Sequence, residues 1–330
     1  MRIKPEESRM TEEEISRAPV LLVGGRGYLG QALTLRLVKA GIPVIRLIRG
    51  EGATYSERSW DPETQVLDAG VFHHIRAVIH LGGAGVADRP WTAARKQILR
   101  DSRIKTTELL VGRMMSLERP PPVFICASGV NAWAGGETIW SEKMLGPDSW
   151  AKDFLGDLCR DWEAAAAPLA ERGDVRVVHL RFGVVLGRGA GFLERMEKVF
   201  SFGAGGRLGK GQQHLPWIAE EDATAAIHHI LETPALQGPV NLVAPGRVTN
   251  REFTETLSDV LGMPALCHLP AFLLKLLPGG MGPVMLLKDL QIEPEALKKS
   301  GFKWKHSDLK AYFESIFVAP VDSETEDAGN

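Results

Sequence analysis

The stretch VLLVGGRGYLGQALTLRLV, running from Val20 to Val38, constrains the fold more than any other part of the chain. Its first four residues read as a buried strand, a glycine-rich turn follows, and apolar residues then recur at three- and four-residue steps, as on a helix facing a core. A strand that passes through a tight turn into a helix finds its parallel neighbour beyond that helix. Apolar, β-branched runs do recur, at 44–48, 77–81, 123–127, 175–180 and 240–243. Helix-patterned segments at 28–40, 92–117 and 151–172 lie between them. The alternation predicts an α/β fold, a doubly wound parallel sheet covered on both faces.

At 330 residues the chain exceeds the usual size of one hydrophobic core. A sheet domain over 18–186 plus 215–244 is expected, with a smaller, mainly helical C-terminal substrate lobe over 187–214 plus 245–318. The charged N-terminal segment 1–17 is expected to be disordered or extended, and the acidic tail 319–330 disordered. Lys and Arg number 39 against 41 Asp and Glu, so the overall charge gives no footprint for nucleic acid or an anionic membrane, and a small-molecule partner is the expectation. A second copy of the chain, as a homodimer, is a further candidate partner.

No uncharged apolar run reaches the roughly 20 residues that span a bilayer, and the N-terminus lacks the apolar core of a signal peptide. Cys126, Cys159 and Cys267 are odd in number, widely spaced and without metal-ligand spacing, which fits a reducing compartment. A cytoplasmic location and no metal follow as expectations. The most apolar tract, LPAFLLKLLPGGMGPVMLL at 269–287, is read as short packed helices of the second lobe, with a membrane-surface lid as the alternative.

Gly24, Gly27 and Gly30 give a GxxGxxG pattern after a strand and at a helix start. In a dinucleotide loop the first glycine permits the turn, the second the approach of the pyrophosphate, and the third close helix–sheet packing. Arg26, Tyr28 and Leu29 in the same loop, and Leu81, Gly82 and Gly83 after the strand at 77–81, are the other cofactor candidates. Where an NAD-preferring chain carries an acid at the end of its second strand, this one reads VIRLIRG. Arg46 and Arg49 there, with Arg26, suit a ribose phosphate and point to NADP over NAD. The alternative is that both strand-end arginines are solvated and Glu51 takes the ribose hydroxyl.

These residues resemble the extended or atypical branch of the short-chain dehydrogenase/reductase superfamily, and within it the NAD-dependent epimerase/dehydratase-like proteins. The narrower resemblance rests on WDP at 60–62, VIHLGGAGVADRPWTAARKQILRDSRIKTT at 78–107, RFGVVLGRGAGFL at 181–193 and GGRLGKGQQHLPWIAEEDATAAI at 205–227. It implies a Rossmann domain, a C-terminal substrate lobe and NAD(P) between them. In that superfamily a Tyr-x-x-x-Lys pair moves the proton, because a phenol with its free pKa of about 10 is a poor base near neutrality. Here Tyr28, Tyr55 and Tyr312 are followed four residues on by Ala32, Ser59 and Ile316, and the matching positions hold Leu155 and Cys159.

Ser128 matches the superfamily's serine after the fourth strand, as a substrate ligand or a loop cap. Where the subgroup carries tyrosine shortly afterwards, this chain reads Asn131, Ala132 and Trp133. Ser128, Glu142 and His214 are the catalytic candidates, Asp88 is a further titratable residue, and His80 reads as a satisfied core histidine. Trp133 and Trp140, with Trp150, either wall an apolar substrate pocket or pack against the second lobe. Three functions stay open: an NADP-dependent oxidoreductase without the Tyr/Lys pair, acting on a small, partly apolar substrate; a non-catalytic NADP-binding sensor or assembly factor; and a sugar-nucleotide epimerase or dehydratase.

Overall fold

The computed structural model describes residues 17–52, 54–189 and 191–318. The expectations for residues 1–16 and for the acidic tail fall outside the described residues. One sheet holds β1 (Val20–Val23), β2 (Val44–Arg49), β3 (Glu57–Trp60), β4 (Ala77–His80), β5 (Val123–Gly129), β6 (Arg176–Phe182) and β7 (Gly238–Leu242). Their spatial order is β3-β2-β1-β4-β5-β6-β7, and every neighbouring pair is parallel. The strand order reverses beside β1, so the crevice at its carboxyl end, where the glycine loop leaves, is the switch point at which such sheets take ligands.

Six of these strands match the apolar runs. The seventh, β3, reads ERSW and among the described residues pairs only with β2; as an edge strand it needs no apolar run, and only Glu57 and Trp60 of its four residues turn inward. Helix α1 (Tyr28–Lys39) spans the expected segment, and the other two expected helices are each broken. The first divides into α2 (Ala93–Asp101) and α3 (Ile104–Met115). At the junction Ser102 Oγ accepts the Ala84 N–H at 3.1 Å and Arg103 Nη2 donates to the Ala84 carbonyl at 2.9 Å, so the chain turns there to hold the loop after β4. The second divides into α4 (Phe154–Ala164) and α5 (Ala167–Arg172), with Pro168 in the first turn of α5, where its missing N–H is tolerated.

Further along come α6 (Gly191–Ser201), α7 (Glu220–Glu232), α8 (Asn250–Leu261) and α9 (Leu309–Phe317). Leu33 and Leu37 of α1 and Ile227 and Ile230 of α7 are wholly buried on one sheet face, against Leu22 and Ile79. Each such side chain contributes about 1.5–3 kcal/mol relative to exposure. Leu110 of α3, Trp162 of α4 and Leu169 of α5 cover the other face, against Leu21 and Phe124. A third core joins α6, α8 and α9 through Leu193, Phe253 and Phe313.

The chain beyond the sheet is less uniformly helical than expected. Short parallel pairs link Val184–Leu186 to Trp217–Ala219, Gly206–Leu208 to Cys267–Leu269, and Gly136–Trp140 to Leu290–Ile292. Among the described residues no helix is long and apolar enough to cross a membrane.

Candidate functional site

The glycine loop is built as its spacing demands. Gly24 has φ +83°, and a Cβ there would stand 2.8 Å from the Gly82 nitrogen, so this turn presses directly on the Leu81–Gly82 backbone after β4. A Cβ on Gly30 would stand 2.2 Å from the Gly24 carbonyl oxygen, which sets how closely α1 meets the turn. Gly27 differs: it is exposed, and a Cβ would meet only the Gly24 carbonyl, at 3.3 Å. The protein itself barely needs glycine there, whereas a phosphate lying on the helix start does. Gly27 is the N-cap of α1, no side chain caps it, and the first turn carries no acid, so the amino end is left for an anion.

Beside this loop two guanidinium groups share one carboxylate. Arg26 Nη2 lies 3.2 Å from Glu57 Oε2 and Arg46 Nη2 lies 3.0 Å from Glu57 Oε1, with the Glu57 side chain only 3% exposed. The cluster lies beside the glycine loop, where Arg46 projects from the middle of β2. Arg46 is therefore not a merely solvated strand-end residue; its side chain also runs under Gly25, whose Cβ would stand 2.8 Å from Arg46 Cγ. Arg49 ends β2 and is exposed. Glu57 comes from the edge strand that sequence reasoning missed, and a half-charged ERSW offers no signal for it.

Two residues of the loop face elsewhere. Leu29 packs against the core beneath α1. Tyr28 donates its hydroxyl hydrogen to the Glu220 carboxylate, and burial together with that carboxylate holds the phenol far above its usual range. Tyr312 is buried and donates to the Leu186 carbonyl at 2.7 Å, while Tyr55 is fully exposed. Leu81 straddles the two sheet cores, and Gly83 lies over the Arg103 guanidinium, whose carbon would be 3.0 Å from a Cβ there.

At the carboxyl end of β5, Ser128 Oγ donates to Glu163 Oε1 at 2.7 Å. Glu163 in turn accepts two parallel bonds from Arg181, Nε to Oε1 and Nη2 to Oε2, each 2.8 Å. The Arg181 side chain is 1% exposed and lies 4.4 Å from the Trp133 ring centre and 4.8 Å from that of Trp150. Burial raises the Glu163 carboxyl, but the Arg181 bonds and charge outweigh it and leave the group below the ordinary carboxylate range, hence ionised. Leu155, Cys159 and Glu163 follow at four-residue steps on one face of α4. Leu155 packs with Trp91, Leu99 and Leu158. Burial, with the Glu163 charge, pushes the Cys159 thiol up to about 11. Neither Leu155 nor the Cys159 thiol, held protonated, offers a group that moves a proton near neutrality, and the serine is bound to a buried ion pair. Arg181 had a sequence signal: a lone arginine in the apolar run VVHLRF must be paired if the strand is central.

The other candidates take structural places. Glu142 accepts the backbone N–H of Asn241 at 2.7 Å through Oε1 and those of Glu295 and Ala296 at 3.1 and 3.4 Å through Oε2. This carboxylate ties β7 to the short helix Glu295–Lys299 and is not positioned as a catalyst, although burial raises its pKa. His214 contacts Asp289 Oδ1 through its backbone N–H and through Nδ1, both at 2.8 Å, and bridges to Thr249. Trp133 is wholly buried, stacks on Trp140 at 5.6 Å and donates to Asn241 at 2.9 Å; Trp140 donates to the Gly135 carbonyl. Both pack with Val243, Leu290 and Ile292. Asp88 pairs with Arg195 at 2.7 Å. His80 is fully buried between Thr106 and the Gly82 N–H, and burial, with the Arg103 charge, pushes it down to about 3, the satisfied core histidine of the sequence reading.

The chain resembles known proteins over most of its length. The model of the NAD dependent epimerase/dehydratase family matches residues 20–243, and that of a domain of unknown function, DUF1731, matches residues 269–316. An epimerase family protein of Mycobacterium bovis is 36% identical over 295 residues, 89% of this chain and 96% of its own. Among solved structures, human epimerase family protein SDR39U1 (isoform 2) with NADPH superposes with a TM-score of 0.80 at 30% identity, over 91% of this chain and 99% of that one. A nucleoside-diphosphate sugar epimerase from Corynebacterium glutamicum gives 0.74 at 27%, over 92% of this chain and 61% of that one.

Proposed function

Because the chain belongs to the NAD-dependent epimerase/dehydratase family, we propose that it is an NADP(H)-binding oxidoreductase of that family acting on a small, partly apolar substrate without a tyrosine–lysine pair. The observation that carries the cofactor reading is the exposed Gly27 at an uncapped helix start beside a carboxylate shared by two arginines. Gly24, Gly27 and Gly30 would hold the pyrophosphate against the amino end of α1, and Leu81, Gly82 and Gly83 would border the adenosine. Arg26, Arg46 and Arg49 would take the ribose phosphate. The solved human relative with NADPH supports this choice of cofactor.

When bound, NADP(H) supplies or accepts a hydride at its nicotinamide ring. Leu155, buried among Trp91, Leu99 and Leu158, would leave an apolar side chain where the superfamily's tyrosine would serve that ring. No side chain of the centre is poised to move a proton: the three tyrosines are bonded elsewhere or exposed, and Cys159 is held protonated. Solvent is then the proton source, and the rate is correspondingly low, since a positioned acid or base contributes about 10²–10⁴-fold. The test is NADPH oxidation at catalytic and stoichiometric protein over a panel of small hydrophobic aldehydes, ketones and enones. Slow turnover with no inflection between pH 7 and 10 supports the reading; rapid conversion of a sugar nucleotide overturns it.

A second reading, NADP(H) binding without turnover, is favoured by the bond from Ser128 to Glu163, which takes the proton a substrate carbonyl would need. It is distinguished by an absence of turnover over the whole panel with cofactor affinity intact.

A further inference from the structure

We propose that the outer face of segments 202–210 and 266–277 docks on an anionic membrane surface, holding the protein there peripherally. The two segments meet in the parallel pair of Gly206–Leu208 with Cys267–Leu269, and the short helix Ala271–Lys275 follows. That helix turns Leu274 inward, 2% exposed, and leaves Phe272 65%, Leu273 41% and Leu276 75% exposed; Leu266 and Phe202 beside the ladder are 85% and 86% exposed. A single exposed leucine is ordinary, but a run of large apolar side chains projecting from neighbouring turns is not. The segment is anchored from beneath, where the backbone of Gly279 lies so close to the Trp91 carbonyl that no Cβ would fit.

Charge identifies the occupant. From Phe202 to Gln213 and from Met263 to Lys288 the chain contains no Asp or Glu. Its cations there include Arg207, Lys210 and Lys275, none of which is ion-paired among the described residues, while Lys288 is committed to Asp153 at 2.9 Å. Protruding apolar side chains among unpaired cations, on two segments that themselves carry no acids, match the acyl boundary and phosphates of an anionic bilayer. A second copy meeting the same face across a two-fold axis would bring these cations against one another. The formal net charge of −2 hides the patch because acids elsewhere balance it.

The experiment is co-sedimentation of the full chain with phosphatidylglycerol/phosphatidylcholine vesicles and with phosphatidylcholine vesicles. Binding is expected to the anionic vesicles only, and to weaken as salt is raised. Lys275→Glu is expected to weaken it by about fivefold or more, and Phe272→Asp combined with Leu276→Asp to reduce it to background. Both changes lie on exposed side chains, and an unchanged thermal unfolding midpoint confirms the fold. Absence of binding to either vesicle, or binding indifferent to the double substitution, overturns the proposal. So does a concentration-dependent dimer in sedimentation velocity that the double substitution disperses, which would assign the face to a second copy.

Discussion

Ser128 donates its hydroxyl hydrogen to the ionised carboxylate of Glu163 across 2.7 Å, and this bond separates the site from the superfamily pattern its sequence resembles. A serine that polarises a substrate carbonyl must have its proton free. Here the competing acceptor is a buried carboxylate held in a two-pronged pair with Arg181, and a charged acceptor makes a hydrogen bond roughly twice as strong as a neutral one. The pair also fixes where the carboxyl end of β5 meets α4, so the change of chemistry and the local packing share one cause.

Glu163→Gln is expected to destabilise the fold by about 3–5 kcal/mol, because it leaves the buried Arg181 guanidinium without its counter-charge. Ser128→Ala should cost about 1 kcal/mol and leave NADPH affinity unchanged. Urea unfolding of the two variants checks the order; equal, small effects would mean that the network is not holding the centre.

Gly27→Ala and Gly30→Ala should part company. At Gly27 the added methyl meets one carbonyl at 3.3 Å, so the fold survives while NADPH affinity falls by at least tenfold. At Gly30 it would stand 2.2 Å from backbone, and the thermal midpoint should drop by several degrees. Thermal unfolding with NADPH titration reads both; intact affinity in a folded Gly27→Ala protein would make the loop a turn and nothing more.

Stability should fall as the medium is acidified. His80 has a folded pKa of about 3 against about 6.5 unfolded. The unfolded chain therefore takes up the proton first, and the stabilisation is complete above the unfolded value and lost as pH falls from there towards 3. Glu163, depressed by Arg181, acts in the same direction at lower pH: its contribution is present above the unfolded carboxylate pKa and lost below it. The urea midpoint should decline from pH 7 to pH 4, and His80→Gln should flatten the upper part of that decline.

Much of the fold was legible because burial on both faces writes a parallel strand as an apolar run. Six strands and the glycine loop are of that kind. The seventh strand was not, since an edge strand with inward Glu57 and Trp60 carries no period. The breaks near Arg103 and Pro168 arise from a tertiary tie to Ala84 and from a proline that also fits a helix start. At the site, the sequence shows that no tyrosine is followed four residues on by lysine, because the absence of that pattern needs no coordinates. It could not show that Ser128 is spent on Glu163, that Glu142 serves three backbone N–H groups, or that Trp133 is sealed in packing. Each depends on segments more than 30 residues apart meeting in space.

The central claim is that the glycine loop and its arginines hold NADP(H), and calorimetric titration of the full chain with NADPH and NADH at fixed salt tests it most directly. NADPH is expected to bind at least about tenfold more tightly, the worth of one charge-assisted contact to the ribose phosphate. The difference should shrink in Arg46→Glu and in Arg49→Glu. Equal affinities for the two cofactors in the unmodified protein, or binding of neither, would contradict the account.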